Sequence, residues 1–367
     1  MKILFINPLD DRSGTKVRTR GFYTALRSLG HDVSYMESNY HGNDPGTISI
    51  PQGDTLLGFC TASLRRLRYC LFMPYDMLFI YKCLPVNIPC IIAGKLRRKK
   101  VAIDWDDLDS TFQPTTFRKA IAAWTERWMP RFADVITTHN RRIKDLAELN
   151  GARKVIIVPQ VIDTDLFNPA RYNRDEIRTR LGLQGKMVLS YMCSLDWGGS
   201  RDLDKVLAAA QQVEQKRSDT VLLIIGGGIL QKRFQKMAAN LNIKSVSFTG
   251  LIPHEMVPEY LAASDLALIY MRDDLGNRTR FSLKLLEYLC MGKPVAGHLA
   301  GATKDALGEY CILSAGQIED FADTIMRALD VPPAANDARK YIVEHHDWQV
   351  VTQSIRTAIA ALNYPHL

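Results

Sequence analysis

The sequence lacks any apolar run long enough to cross a bilayer, which takes about eighteen residues. Its most apolar stretch, residues 71–93, is interrupted by Asp76, Lys82 and three prolines. The opening MKILFINPLDD offers too few consecutive apolar residues for a secretory signal and meets two aspartates at once. We therefore expect neither a transmembrane segment nor a signal peptide.

Paired cysteines are missing as well. The 367 residues include seven cysteines, an odd number, and they are scattered without any C-x-x-C pair. This usage is typical of reduced, mostly buried thiols in a reducing compartment. We expect the protein to be cytoplasmic.

Extreme composition is absent, because 47% of the residues are apolar and 23% are charged, which excludes disordered and fibrous classes. The length favours two domains. Of the net charge of +8, residues 1–165 carry +7, with 24 Lys and Arg against 17 Asp and Glu. The basic half indicates an acidic partner, such as an anionic lipid or a diphosphate-bearing acceptor. Nucleic acid is not expected, since no basic-and-aromatic motif or recognition helix is found.

Short apolar runs alternate with helical patterns in both halves, which predicts parallel sheets built from βαβ units. The predicted strands are 2–7, 32–36, 77–81, 100–104, 134–138, 187–192, 221–225, 246–249, 266–270 and 294–297. The clearest predicted helices are 202–216, 229–241, 254–263, 282–291 and 348–362.

The proline-containing stretch 158–169 marks the predicted boundary between two α/β domains. We expect an N-terminal domain over residues 1–165, a second domain over 166–345 and a closing helix in 346–367. Two such domains facing a cleft form a natural small-molecule site, because strand ends and helix N-termini converge there.

The segment 278–298 (RTRFSLKLLEYLCMGKPVAGH) carries the most chemistry. A helix beginning near Ser282 and Leu283 would offer backbone N–H groups to a diphosphate. Lys284 can add its charge, and Glu287, three residues further on, can accept hydrogen bonds from two ribose hydroxyls. The alternative is an ordinary exposed ion pair between these two side chains.

The segment FSLKLLEYLCMGKPV resembles the donor-binding signature of glycosyltransferase family 4, which reads close to SPxKxxEYxAxGKPV. Further segments resemble the same family in order and spacing. They are VLLIIGGGILQKRFQKMAANL, VSFTGLIPHEMVPEYLAASDLALIY, ADVITTHNRRIKDLAEL with KVIIVPQVIDTDLFNP, and HHDWQVVTQSI. Together they cover most of residues 130–360, whereas the first 130 residues match only in general plan.

The resemblance implies the GT-B fold, with two Rossmann-like domains and a C-terminal helix that crosses back to the first. It implies that Glu287 binds the ribose and that Ser282 and Leu283 present N–H groups to the diphosphate. It also implies that Arg201 binds phosphate, with Lys205 as the alternative. Further donor contacts are implied at Gly14, Gly228, Gly250, Leu251 and Ile252. Gly14 could equally serve only as a turn, and the glycines at 226–228, which lack the full dinucleotide-binding fingerprint, fit a tight strand-to-helix turn.

One position departs from the family. Thr279 stands where members of the family often have a glutamate that contacts the transferred sugar. The resemblance therefore leaves the identity of the transferred sugar open. Arg278, Thr279 and Arg280 are candidates for that contact, and a solvated basic loop is the alternative. On the acceptor side the resemblance favours Asp106 and Asp107, and more weakly His139. Asp104 and Asp106 form a D-x-D, but this fold implies no metal and no other cofactor.

These features predict a retaining transferase that moves a sugar from a nucleotide-diphosphate donor to a glycan or lipid-linked acceptor in bacterial envelope synthesis. Two alternatives stay open: a sugar-nucleotide 2-epimerase, and a non-catalytic subunit that binds nucleotide sugar. Basic residues in 56–72 (Arg65, Arg66 and Arg68) and in KLRRKK at 95–100 could rest on an anionic membrane, or form a solvated surface.

Overall fold

The structure is a computed structural model that describes residues 1–10, 16–42, 44, 46–53, 55–330 and 335–363. Gly14 lies outside the described residues. The chain divides into two compact domains. The first comprises Met1–Val161, Thr279–Phe281 and His346–Leu367, and the second comprises Ile162–Arg278 and Ser282–His345.

A seven-stranded parallel sheet forms the centre of the first domain, in the order β3-β2-β1-β4-β5-β6-β7. Its strands are β1 Lys2–Asp10, β2 Asp32–Ser38, β3 Thr47–Ile50, β4 Met77–Tyr81, β5 Lys100–Asp104, β6 Val135–Thr138 and β7 Val155–Ile157. The helices are α1 Lys16–Ser28, α2 Leu56–Phe72, α3 Ile88–Leu96, α4 Thr116–Trp128 and α5 Arg141–Leu149.

Both faces of this sheet are covered, as the continuous apolar strands require. Along β1 the side chains alternate: Ile3 and Phe5 enter one apolar core, while Leu4 and Ile6 enter the other. The apolar runs that predicted β1, β2, β4, β5 and β6 therefore reflect burial on two sides.

The second domain holds a six-stranded parallel sheet in the order β10-β9-β8-β11-β12-β13. Its strands are β8 Met187–Met192, β9 Thr220–Ile225, β10 Val246–Phe248, β11 Leu266–Tyr270, β12 Val295–His298 and β13 Ile312–Leu313. Its helices are α6 Arg174–Leu181, α7 Leu203–Lys216, α8 Gln231–Asn240, α9 Val257–Ala262, α10 Leu275–Thr279, α11 Leu283–Cys290, α12 Gly301–Leu307, α13 Ile318–Asp330 and α14 Ala335–His346.

The last helix, α15 Trp348–Asn363, belongs to the first domain. It packs against α1 and places Val351, Ile355, Ile359 and Leu362 in the core that contains Phe5. A Cβ added to Gly21 of α1 would lie 2.5 Å from the Trp348 ring, so only glycine permits this approach. Among the helices in the described residues, none has the length and apolar character needed to cross a membrane.

Candidate active site

Helix α11 begins at the carboxyl edge of the second sheet. Its N-cap, Ser282, is buried, and the Ser282 N–H donates to Thr303 Oγ1 at 3.0 Å. This N–H group, which the sequence assigns to a diphosphate, therefore has a partner within the domain. Leu283 is the first residue of the helix, so its N–H belongs to the terminal turn, where no preceding carbonyl is available.

Two side chains of α11 fix it to the end of β8. Lys284 Nζ donates to the carbonyl oxygen of Met192 at 2.7 Å, and it lies 4.7 Å from the ring centroid of Tyr191. One turn later, Tyr288 Oη accepts a hydrogen bond from the Met192 N–H at 2.7 Å. The structure thus places the Lys284 charge at the carboxyl edge of the sheet, where it contacts a backbone oxygen and an aromatic face.

Glu287 is buried, with a side-chain exposure of 3%. Its Oε1 lies 2.6 Å from Nε2 of His254, whose ring centroid is 5.5 Å from that of Phe167. The hydrogen bond to Glu287 raises the pKa of His254 against the opposing effect of burial. The carboxylate that the sequence assigns to ribose binding is therefore held by an imidazole three residues beyond Leu251.

The glycines after β9 form a tight turn. Gly226 and Gly228 have φ values of +128° and +157°, which L side chains rarely adopt. A Cβ on Gly227 would lie 2.2 Å from the Leu251 nitrogen, and one on Gly228 would lie 2.5 Å from the Leu195 carbonyl oxygen. Close backbone packing alone therefore requires these glycines, which supports their interpretation as a turn and leaves a donor contact at Gly228 a prediction.

The loop at Gly250 lies beside that turn, because Gly226 and Gly250 form an antiparallel bridge. Leu251, the next residue, is 85% exposed, and Ile252 is half-buried. An exposed leucine in this loop can cover an apolar ligand surface such as a nucleobase face.

Arg201 precedes α7, and its Nη2 donates to Asp274 Oδ2 at 2.6 Å. Arg272 binds the Asp202 carboxylate and the Arg201 carbonyl oxygen. Arg201 thus lies in a network of arginines and carboxylates, so phosphate binding would require the phosphate to compete with Asp274. The fallback Lys205 lies on α7, where its Nζ is 3.8 Å from the exposed Asp204 carboxylate.

Residues 279–281 belong to the first domain. Thr279 is buried, and its carbonyl oxygen accepts a hydrogen bond from Asn140 Nδ2 at 2.9 Å. The charge of Arg280 favours the ionised form of Asp107. Arg278, in the second domain, forms two hydrogen bonds with exposed Asp273, at 2.6 and 2.8 Å.

A second polar cluster occupies the carboxyl edge of the first sheet, after β4 and β5. Lys82 Nζ lies 2.8 Å from Asp106 Oδ1, 3.0 Å from Asp109 Oδ1 and 3.6 Å from Asp107 Oδ2, and its side chain is 3% exposed. Burial acts to raise the pKa of Asp106, but the Lys82 ammonium overcomes it and lowers that pKa. Burial raises the pKa of Asp107, and it raises the pKa of Asp109 to about 7.

The backbone of Lys82 is unusual, with φ at +68°. Its N–H donates to the Asp104 carbonyl oxygen at 2.7 Å, and its own carbonyl oxygen accepts from Asn87 at 3.0 Å. Left-handed backbone at a non-glycine residue costs about 1–3 kcal/mol and persists where surrounding contacts determine it. With this backbone conformation, the Lys82 ammonium group lies against the three carboxylates.

Asp104 has a different partner. Arg18 Nε and Nη2 each donate to this carboxylate at 2.7 Å, and Thr137 Oγ1 donates at 2.6 Å. The predicted D-x-D is therefore divided between two cations, Arg18 and Lys82. Within the described ranges, no group of three or more potential ligand residues could hold a metal ion. That the reaction needs no metal stays a prediction.

His139 follows β6 and is buried, with its Nδ1 2.7 Å from Asn140 Nδ2. Its ring lies 5.7 Å from that of Phe281, centroid to centroid. Burial, aided by the charge of Arg18, lowers the pKa of His139 to about 3, so this imidazole is neutral at physiological pH. The structure thus brings His139 near the residue that follows Arg280.

Among the residues of these clusters that sequence reasoning missed are Lys82, Asp109 and His254. A signal existed for each. Lys82 is the charge that follows a fully apolar strand, Asp109 continues the acidic run after β5, and His254 directly follows the loop assigned to the base.

Residues 174–345 match the model of the family described as glycosyl transferases group 1. This match confirms the resemblance to the family that the donor-binding signature carries.

Two curated relatives match over about half to two thirds of their lengths. The 2-deoxystreptamine glucosyltransferase of Streptomyces kanamyceticus is 26% identical over 56% of this chain and 54% of that protein. The GDP-mannose-dependent alpha-(1-6)-phosphatidylinositol monomannoside mannosyltransferase of Mycolicibacterium smegmatis is 28% identical over 62% of this chain and 61% of that protein.

Similarity to solved structures extends over both domains. HepE of Anabaena, crystallised with UDP-glucose, superposes with a TM-score of 0.77 at 15% identity. The alignment covers 98% of this chain and 100% of that one. The similarity confirms the predicted GT-B fold.

Proposed function

We propose that this protein is a retaining glycosyltransferase that moves a sugar from a nucleotide-diphosphate donor to a hydroxyl of a glycan or lipid-linked acceptor. The observation that carries the proposal is the placement of Lys284 and the buried Glu287 on one helix at the carboxyl edge of the second sheet. This helix lies within the matched family region.

The donor would bind against α11 and the turns at Gly228 and Gly250. Glu287 would accept hydrogen bonds from the ribose hydroxyls while sharing its carboxylate with His254. The N–H groups of the first turn of α11 would meet the diphosphate. HepE was crystallised with UDP-glucose, which supports a nucleotide-diphosphate sugar as the ligand class.

Transfer would break the bond between the anomeric carbon and the β-phosphate oxygen. The acceptor oxygen would bond to that carbon on the face from which the nucleoside diphosphate leaves, and the acceptor proton would pass to the leaving phosphate. Lys284 and Arg201 would stabilise the charge on this diphosphate. In the structure Lys284 contacts the Met192 carbonyl oxygen and Arg201 contacts Asp274. On donor binding, contacts with phosphate oxygens would replace these two contacts.

Acceptor binding would involve the carboxyl edge of the first sheet. Asp106 and Asp107 can accept hydrogen bonds from sugar hydroxyls, and the neutral His139 ring can take part in one hydrogen bond. A lipid-linked acceptor at the cytoplasmic face of a bacterial membrane suits the basic first half of the chain. The mycobacterial relative, named for a phosphatidylinositol monomannoside, supports this choice.

Thermal unfolding against UDP, GDP, ADP, dTDP and their sugars tests donor binding. One nucleotide family should stabilise the protein, by about 2.7 kcal/mol at a hundred times its Kd. Glu287→Gln should weaken that donor about 10- to 100-fold, because hydrogen bonds to a charged group are worth about 1.5–3 kcal/mol. Glu319→Gln, at an exposed position of α13, serves as the matched control.

Activity separates the remaining alternatives. Transfer with the anomeric configuration preserved in the product, read by NMR, would establish a retaining transferase. Conversion of the donor sugar without any acceptor would instead indicate the epimerase. Full affinity and transfer by Glu287→Gln would contradict the assigned donor site.

A further inference from the structure

Helices α3 and α4 of the first domain leave an apolar groove of about 540 Å³ at the surface. One charged side chain reaches its wall: Lys95, whose Nζ lies 2.9 Å from Asp134 Oδ2. The remaining wall is aliphatic and aromatic, formed by Ile88, Ile91, Ile92, Leu96, Trp124, Trp128, Met129 and Phe132. We call this feature the α3–α4 groove.

The groove exposes large apolar side chains to water. Leu96 is 75% exposed, Trp124 53% and Phe132 49%. A single exposed apolar residue is ordinary, but a contiguous set of them marks a binding surface. Phe117, on the first turn of α4, is also 74% exposed.

Basic side chains are frequent on the chain segments that form this apolar surface. Exposed cations occur on the turn after α3, at the start of β5 and on α4: Arg98, Lys100, Arg118, Lys119 and Arg127. The only acidic residue in residues 88–100 and 116–128 is Glu126, which is buried. Two other arginines face inward. Arg97 donates to the carbonyl oxygens of Cys70 and Met73, and Arg66 of α2 is fully buried.

We propose that the α3–α4 groove docks the protein on an anionic bilayer, with its aromatic and aliphatic side chains among the acyl chains and its cations at the headgroup phosphates. Tryptophan favours the membrane interface, where its ring meets both apolar and polar surroundings. Basic residues within a Debye length add attraction to anionic lipid.

The charge pattern favours a bilayer over a second copy of the chain. A symmetric dimer through this face would bring two rims of the same sign together, which opposes association. Bilayer docking also goes beyond sugar transfer, because lipid would bind without donor or acceptor. Failure of docking and failure of the proposed activity are therefore distinguishable.

Co-sedimentation of the full chain with vesicles tests the proposal. Phosphatidylcholine vesicles should bind it weakly, and vesicles with ~30 mol% phosphatidylglycerol should bind it strongly, with binding lowered by salt. Leu96→Glu should weaken binding about tenfold or more, because it replaces an apolar contact by a like-charged repulsion. Leu149→Glu is the matched control, since both leucines end a helix of the first domain and are 75% and 82% exposed.

Insertion has a separate readout. Brominated acyl chains should quench the fluorescence of the wild type, and most of that quenching should disappear in the double variant Trp124→Phe and Trp128→Phe. Charge reversal by Arg118→Glu with Lys119→Glu should abolish the preference for anionic vesicles while leaving the apolar wall intact. This second variant keeps the test decisive if Leu96→Glu fails to fold.

Three outcomes would overturn the proposal. The first is equal binding of the Leu96→Glu and Leu149→Glu variants, and the second is equal binding of the wild type to neutral and anionic vesicles. The third is a lipid-free dimer, seen by sedimentation velocity, that Leu96→Glu dissociates, because the groove would then hold a second copy.

Discussion

Replacing Lys82 by methionine tests the buried ionic cluster at the edge of the first sheet. Methionine keeps the apolar stem and removes the ammonium group that lies 2.8 Å from Asp106 and 3.0 Å from Asp109. The carboxylates would stay buried without their cation. Breaking a buried ion pair in this way costs about 3–5 kcal/mol of the free energy of unfolding.

Thermal unfolding measures this loss. For a domain of this size the cost corresponds to a midpoint lower by roughly 6–20 °C. Lys144→Met in the same domain is the matched control. Its Nζ lies 3.2 Å from Glu148 Oε1, but both side chains are in contact with water, with exposed fractions of 33% and 48%. Such a surface pair contributes about 0.3–0.5 kcal/mol, so the control should unfold almost as the wild type does.

The pH dependence sharpens the test. Burial raises the pKa of Asp109 to about 7 and that of Glu126 to about 7. A carboxyl group with a raised folded pKa favours the fold while protonated, and this contribution is lost as the pH rises through the folded pKa. Without Lys82 the cluster needs protons at still higher pH. The deficit of Lys82→Met should therefore be larger at about pH 8 than at about pH 5.

The result that would refute this reasoning is specific. A deficit below about 1 kcal/mol would mean that water or rearrangement replaces the ammonium group. An identical deficit at both pH values would mean that the carboxyl groups do not titrate as a buried cluster.

Two further predictions concern the second domain. Tyr288→Phe leaves the Met192 N–H, at a partly buried position, without its acceptor, so denaturant unfolding should show a loss of about 1–3 kcal/mol. An unchanged midpoint would mean that another acceptor replaces the hydroxyl. The pKa of His254 is raised chiefly by its hydrogen bond to Glu287, so this pair stabilises the fold fully below about pH 6.5 and loses that contribution as the pH rises through the folded pKa. Because the His254 side chain is 41% exposed, the loss in the free energy of unfolding should be at most about 1 kcal/mol. Plots of stability against pH, from about pH 6 to pH 9, should differ in slope between the wild type and His254→Gln. Parallel plots would contradict the pairing.

The sequence predicts the long buried strands well and the edges of the sheets poorly. Strands β4 and β11 are continuous apolar runs, and β5 and β8 are mostly apolar, because both faces of these strands are covered. The missed strands β3, β7 and β13 contain only two to four residues. So short a segment has no measurable periodicity, and it becomes a strand because an adjacent strand offers its hydrogen bonds.

The residues of the candidate site also fall into those that the sequence predicts and those that it does not. Lys284 and Glu287 can be found from sequence because they lie three residues apart on one helix within a recognisable motif. Their partners cannot, since Met192 and His254 lie 92 and 33 residues away along the chain. Arg66 shows the same limit, because the arginines of α2 look alike in sequence and only packing shows which of them is buried.

The assignment of α15 to the first domain has a consequence for biosynthesis. Residues 351–362 supply four apolar side chains to a core whose other members lie mostly in residues 3–161. A ribosome would therefore complete the second domain before the first could close its apolar face. A fragment that ends near residue 165 would leave that face open to water, and adding a peptide of residues 346–367 should restore its solubility. The order of synthesis and the order of domain completion are thus reversed in this chain.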